Sequence, residues 1–558
     1  MERLLLSLIL GCSATPTMFG GAKLSPDLPF GNPNDVVDVI VQFQTPVTAA
    51  HHQKVIDRGG RLRKTLRVVQ GGLYSMPAGM LGDLAQDPEV YHISPNHNVQ
   101  ASIDVAEAAV NANIAFSYGW NGAGIGIAVI DSGISNHPDL KNTSGALRVV
   151  YSQDFVGGGT DDHYGHGQHV AGIIAGNGAG SSASTAFLTF RGLAPSANLI
   201  NLRVLDQNGQ GTDSTVIAAI QQAIKLKDQY NIRVINLSLG RPVFESYTLD
   251  PLCQAVEQAW KAGIVVVVAA GNQGRDDSQG TSGYATIQAP GNDPYVITVG
   301  AMKTMGTAAR YDDRIASYSS KGPTLIDHVV KPDIVAPGNR VASLLASTAQ
   351  LQDQYPKNAV PLQSYENTGS TALSSDYYTM SGTSMAAPMV SGAVALLLQQ
   401  NSNLNPDQVK ARLMKTATKS FPSSSIATDP TTGIVYASQY DIFTVGAGYL
   451  DVWAALNDTE VANGTALSPT AQYDSSSGQV SITFASNSVW GSNVAWHSNV
   501  VWGSNVFLNA SNVVWGSNVV WGSSTKTGFN VVWGSNAVWG STSQAGPEST
   551  AVAINGEN

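Results

Sequence analysis

Cysteine is nearly missing from this chain. Only Cys12 and Cys253 occur among 558 residues, which excludes a disulfide framework and leaves too few thiolates for a Cys-based metal site. Charge is also sparse, at 13% Asp, Glu, Lys and Arg, and no basic block relieves a formal net charge of -10, so nucleic acid is excluded as the main partner. Long apolar runs are lacking too. The one near the start, LLLSLILG after Met-Glu-Arg, is too short to span a bilayer but suits the core of a secretory signal. Residues 1–20 are therefore read as a signal peptide, cut after Cys12-Ser13-Ala14 or lipidated at Cys12. The expected location is secreted or cell-surface.

What is present is a large apolar fraction, 43%, enough for a sizeable core in a chain long enough for several domains. The stretch YTMSGTSMAAPMVSGAVALLLQ places a flexible Gly382-Thr383-Ser384 turn before a run of Ala, Leu and Val. Ser384 is expected at the N-terminus of a buried helix, among backbone N–H groups with no intrahelical acceptor, with Pro388 in the first turn. Free N–H groups and the positive end of the helix dipole favour an oxyanion there, so Ser384 is a candidate nucleophile. The plain alternative is a serine capping a core helix.

Residues 36–99 carry their own pattern. VVDVIVQF reads as a strand, the stretch near His51 as a helix, GGLYSMPAG as strand and turn, MLGDLAQDPEV as a short helix and YHISPNHNV as a last strand. A small α+β unit, set at residues 31–105, follows. From Gly119 the pattern changes to apolar strands alternating with helices, the mark of a parallel α/β sheet. Its strands are GIGIAVIDSG, NLINLRVL, RVINLSLG, GIVVVVAAGN and YVITVGAM. Ligand sites in such sheets lie at the carboxyl ends of strands, where Asp131, Ser238 and Asn272 fall. His166, in HYGHGQHVAGIIAG, opens an apolar helix after a glycine-flanked turn. Asp131, His166 and Ser384 together would make a charge-oriented nucleophile.

In the order Asp, His, Asn, Ser, the segments IDSGI, HGQHVAG, AAGN and SGTSMAAP resemble the signature segments of the subtilisin-like serine proteases, and INLSLG, KPDIVAPG and GAGYLDVWAAL extend the likeness over residues 121–455. The resemblance implies an Asp131, His166, Ser384 triad, with Asn272 and the Ser384 N–H forming the oxyanion hole. It implies protein or peptide substrates bound by strands at Gly209, Gln210, Gly211 and at Ser238, Leu239, Gly240, with Ala269, Ala270 and Gly271 lining the first pocket. Uncharged Gln273 leaves that pocket suited to apolar residues. The same resemblance makes the N-terminal unit a ferredoxin-like prodomain, inhibitor and chaperone of its own enzyme, cut between about 98 and 110. No cofactor is required for the chemistry. Structural calcium rests on Asp139 alone, which resembles one ligand of the family's site. Gln168 stands where the family pattern has Thr.

The peptidase domain is placed at residues 106–460, and a chain ending near Asn463 is expected to stay active. Residues 461–558 form a Trp-Gly-Ser repeat region. WGS occurs six times there, and Trp490, Trp496, Trp502, Trp515, Trp521, Trp533 and Trp539 mostly differ by six or its double. An even period sets Trp on one face of a strand, so a β-rich hexapeptide array is expected; an aromatic face for polysaccharide or cell surface, and a sticky anchor, are the alternatives. Rival functions fare worse. An α/β-hydrolase needs its histidine after the serine, where only His497 stands. His163, His166 and His169 do not share one helical face, as a metal site on that helix would need.

Overall fold

The computed structural model describes residues 23–24, 28, 33–95, 105–489 apart from 279, 348, 430–431 and 475–478, and 556–557. Residues 1–20, expected to be a signal peptide, and the repeats from Trp490 onward lie outside the described residues. Two compact units divide between Gln100 and Ala101.

The first unit runs β1 (Val36–Phe43), α1 (Ala49–Ile56), β2 (Arg61–Leu66), β3 (Gly71–Pro77), α2 (Leu81–Gln86) and β4 (Val90–Pro95). Its antiparallel sheet has the order β2-β3-β1-β4, the ferredoxin-like βαββαβ arrangement. Alternation in VVDVIVQF turns Val39, Val41 and Phe43 inward onto Val55, Tyr74, Met76, Leu81, Leu84 and Ile93. Thr48 and His51 cap α1 reciprocally through side chain and backbone. Sequence patterning missed β2. RLRKTL is an edge strand with no fully buried residue, so its charges protect the edge and erase the hydrophobic signal.

The second unit opens with α3 (Val105–Ala109) and α4 (Ala112–Ser117). Its sheet contains β5 (Gly126–Asp131), β6 (Val149–Asp154), β7 (Asn198–Arg203), β8 (Ile232–Leu237), β9 (Val265–Ala269), β10 (Ile297–Lys303), β11 (Arg314–Ile315) and β12 (Ile334–Pro337). The order is β11-β10-β9-β8-β5-β7-β6, with β12 also on β10, and every pair but β10–β11 is parallel. Helices α5 (His166–Ala175), α6 (Asp213–Leu226) and α7 (Pro251–Lys261) lie between strands in sequence. Burial on both faces is why the strands read as unbroken apolar runs: all six residues of β5 are buried.

Beyond the sheet come β13 (Val341–Leu344), α8 (Gln350–Gln354), β14 (Ala359–Pro361), β15 (Leu373–Met380), α9 (Thr383–Gln400), α10 (Pro406–Thr416), the hairpin β16 (Ser424–Thr428) and β17 (Val435–Gln439), α11 (Val452–Asn457), and the hairpin β18 (Thr470–Asp474) and β19 (Gln479–Thr483). α9 is apolar all round and almost wholly buried. Packing does not stop at residue 460. Ala462, Ala466, Ala471 and Val489 share a buried cluster with Phe443, Val330 and Met414. The Ser468 hydroxyl donates to Asp333, a fully buried carboxylate that also pairs with Lys331 at 2.7 Å and Lys410 at 3.2 Å. Packing of the second unit thus runs past the boundary set at residue 460, through Ala462, Ala466, Ser468, Ala471 and Val489.

Candidate active site

Strand β5 delivers Asp131 at its carboxyl end, and the N-terminus of α5 delivers His166. The Asp131 Oδ1 and His166 Nδ1 atoms lie 2.7 Å apart. A carboxylate can only accept, so Nδ1 carries the proton and Nε2 is left as the base. Burial would lower the His166 imidazole, but Asp131 outweighs it and raises it above the ordinary 6.5.

Two residues that sequence reasoning gave no role hold this pair in place. Asp162 is fully buried and accepts from the N–H groups of Gly165 and Gln168 at 2.7 Å each, from Tyr164 N–H at 3.0 Å and from the Ser132 hydroxyl at 2.9 Å. It thereby satisfies donors at and just before the start of α5, where a carboxylate also meets the positive end of the helix. Ser132 Oγ accepts the Gly167 N–H at 2.8 Å, linking the residue after Asp131 to the residue after His166. Only the pair of acids Asp161 and Asp162, five and four residues before His166, hinted at this. Gln168, at the position that departs from the family pattern, reaches back with Oε1 to the Ser135 N–H at 2.8 Å, so its longer side chain fastens the loop after β5.

Ser384 is the second residue of α9, and its N–H belongs to the first turn, where donors have no intrahelical acceptor. Its hydroxyl donates to the Ser238 carbonyl at 3.1 Å. Pro388 is not in the first turn, as expected, but the sixth residue of the helix. Its missing N–H would have served the Ser384 carbonyl, which instead accepts the Ser238 hydroxyl at 2.8 Å. Asn236 then donates to Ser238 Oγ at 2.9 Å and accepts from Ser391 at 2.8 Å, a buried chain that ties β8 to α9.

Asn272 follows β9. Its Oδ1 accepts the Thr383 N–H at 2.9 Å and the Thr383 hydroxyl at 3.1 Å, which leaves Nδ2 as the end free to donate elsewhere. Gly382 has φ of 143°, and a β-carbon there would sit 3.3 Å from Asn272 Nδ2. Glycine therefore lets the amide and the serine turn share one space.

The segments expected to bind substrate are all at the carboxyl edge of the sheet, but 209–211 and 238–240 are not strands, and Ala269 is the last residue of β9. Gly209 to Gly211 leave a turn closed by Gln210 carbonyl and Asp206 N–H at 2.8 Å, and Ser238 to Gly240 extend past β8 without a partner strand among the described residues. Ala270 and Gly271 continue from β9, with Gly271 N–H donating to Thr383 Oγ1 at 3.1 Å.

Asp139 does not fit a calcium ligand. Its carboxylate is fully buried and accepts from Gly180 N–H at 2.7 Å and the Tyr377 hydroxyl at 2.8 Å, donors that a cation would have to replace. No group of three or more His, Cys, Asp or Glu side chains among the described residues is arranged to hold a metal. His169 shares no site with His166: its Nε2 faces the Val341 and Tyr378 carbonyls at 3.0 Å each, and burial drives it down to about 3. Cys253 is buried with its thiol against Asn292, and burial pushes it up, so it is inert.

The family model described as the subtilase family matches residues 122–434, more than half of the chain and every residue of this site. The chain belongs to the subtilase family. It is similar to serine protease AprX of Bacillus subtilis (strain 168), 39% identical over 355 residues covering 61% of this chain and 72% of that protein. Subtilisin E of the same organism is 32% identical over 382 residues, 68% of this chain and 83% of that one. Subtilisin DY of Bacillus licheniformis is 35% identical over 312 residues, 55% and 89%. This subtilase is a serine-type endopeptidase and acts on protein substrates. No helix among its described residues is long and apolar enough to cross a membrane.

Proposed function

We propose that Ser384, His166 and Asp131 are the catalytic triad of this endopeptidase and that Asn272 is the side-chain donor of its oxyanion hole. The observation that carries the reading is the 2.7 Å contact between His166 Nδ1 and Asp131 Oδ1, at a carboxyl edge shared by the N-terminal turn of α9. His166 Nε2 takes the Ser384 proton as the hydroxyl attacks the peptide carbonyl, and returns it to the leaving amine. Asp131 holds the imidazole in that tautomer and offsets its charge. Asn272 Nδ2 and the Ser384 N–H meet the oxygen as it becomes anionic. Water then repeats the sequence on the acyl-enzyme.

Substrate is held in extended form by Gly209, Gln210, Gly211 and by Ser238, Leu239, Gly240. Ala269, Ala270 and Gly271 give an uncharged first pocket that favours apolar residues. The ferredoxin-like unit at 36–95 is a prodomain that inhibits and assists folding until the enzyme cuts itself free between about 98 and 110, and the chain is exported. Support for these finer points comes from the residue-by-residue likeness to the family and from the apolar N-terminal run. Casein hydrolysis blocked by a serine-directed inhibitor and absent in Ser384→Ala tests the reading; hydrolysis that survives the substitution overturns it.

A further inference from the structure

Glu557 lies far along the chain from the catalytic segments, yet it is 5% exposed and packed into the catalytic unit. Its Oε2 takes Arg275 Nη2 at 2.7 Å and the Ser317 hydroxyl, and its Oε1 takes Lys303 Nζ at 3.2 Å and the Ser317 N–H at 2.7 Å. The backbone is read as well. Glu557 N–H donates to Asn339 Oδ1 at 3.0 Å, and its carbonyl accepts from Asn339 Nδ2 at 2.9 Å.

Gly556 is specified by space. It has φ of 75°, and a β-carbon would meet Ser381 Oγ at 2.5 Å and Arg340 Cγ at 2.7 Å. The walls are braced independently of the segment: Arg275 Nε donates to Ser317 Oγ at 2.7 Å, its Nη1 pairs with Asp429 at 2.8 Å, and its guanidinium lies 4.5 Å from the Tyr436 ring centroid. Burial would raise the Glu557 carboxyl, but Lys303, Ser317 and Arg275 hold it below the usual glutamate range, so it is ionised at neutral pH.

We propose that Arg275, Lys303, Ser317 and Asn339 form a peptide-carboxylate binding site whose built-in ligand is the Gly556-Glu557 segment, held by non-covalent contacts and exchangeable with a Gly-Glu peptide supplied in trans. A planar guanidinium, an ammonium and two donors from one serine make a receptor for an ionised carboxylate, and the Asn339 amide, paired with the N–H and carbonyl of the same residue, makes it a receptor for peptide backbone as well. The site joins the loop that follows Asn272 to the turn that precedes Ser384. It also fixes the chain to the catalytic unit on both sides of the Trp repeats, at Val489 and at Gly556.

The test uses the full chain carrying Ser384→Ala to prevent self-digestion, with a fluorescein-labelled peptide of residues 551–558 followed by anisotropy. The parent chain has the site filled and binds the peptide weakly. Adding Glu557→Gln empties it, and binding tightens at least about tenfold, while a peptide bearing Glu557→Gln binds that chain at least about tenfold more weakly than the Glu peptide. Equal binding by the two chains, or equal binding of the two peptides, overturns the proposal. If Glu557→Gln prevents folding, Gly556→Ala keeps every charge and expels the segment by contact with Ser381. Failure of that chain to gain peptide binding overturns the proposal equally.

Discussion

Thr383→Val separates the orientation of the proposed oxyanion amide from simple stability. Thr383 Oγ1 stands between two groups, accepting the Gly271 N–H and donating to Asn272 Oδ1, each at 3.1 Å. Valine keeps the shape and removes both bonds. Thr383 is fully buried, so the Gly271 N–H is stranded away from water and folding loses about 1–3 kcal/mol. Asn272 keeps the Thr383 N–H at 2.9 Å, one of the two bonds that orient the proposed donor amide. Losing the other, a neutral bond worth about 1 kcal/mol, lowers kcat about fivefold. KM stays level, because Nδ2 acts mainly once charge develops. Asn272→Ala itself lowers kcat by about 10²- to 10³-fold, the magnitude known for the oxyanion asparagine of subtilisin. In that background Thr383→Val has no amide left to orient and costs no further activity, although it still destabilises. Urea unfolding and kinetics on a chromogenic peptide measure the four corners of the cycle. A fivefold loss that persists in the Asn272→Ala chain refutes the coupling, and so does a Thr383→Val chain that is destabilised with kcat intact.

Ser384→Ala is expected to lower kcat by about 10⁶, a magnitude known for subtilisin, and to leave a precursor still carrying residues 36–95; intact mass of protein made in a protease-free system shows whether it is trimmed. Because Asp131 raises His166 above 6.5, the neutral base forms late, and the acidic limb of kcat/KM should lie above pH 6.5. The sign for stability is opposite: a raised histidine stabilises below its unfolded pKa and loses that contribution as pH rises through the folded value, so activity is gained over the interval in which this stability is lost. Asp131→Asn leaves burial dominant and should move the limb below pH 6.5; a limb that stays put contradicts the assignment. A chain ending after Asn463 removes Ser468, which donates to Asp333 and accepts from Lys410 Nζ at 2.8 Å, and strips Ala466, Ala471 and Val489 from their cluster. Losing that hydrogen bond to a buried charge should by itself cost about 1.5–3 kcal/mol relative to a chain ending after Val489, and equal thermal melts would show that residues 464–489 add nothing.

The parts of this protein that depend on local pattern could be read without coordinates. Unbroken apolar runs such as GIAVID and VVVVA announce parallel strands buried on both faces, and a serine, a histidine and an aspartate at strand ends or helix starts announce chemistry because those places offer free donors and ligand access. The α9 helix was legible for the same reason, an apolar run opened by a flexible turn. Edge strand β2 was not, since a strand that faces water on its edge carries no hydrophobic period.

What only the tertiary structure decided is which partners meet across long separations. Asp161 and Asp162 look alike in sequence, yet Asp162 alone is buried to hold the start of α5. Asp139 could pass for a calcium ligand until Tyr377, more than two hundred residues away, is seen to occupy it. That packing of the second unit continues past residue 460, through Ala462, Ala466, Ala471 and Val489, follows from small residues whose burial no local pattern records. Glu557 carries no motif at all. Its place depends on Arg275, Lys303, Ser317 and Asn339 converging from separate loops and strands, and a carboxylate's worth in such a pocket is set by neighbours that chain order does not bring together.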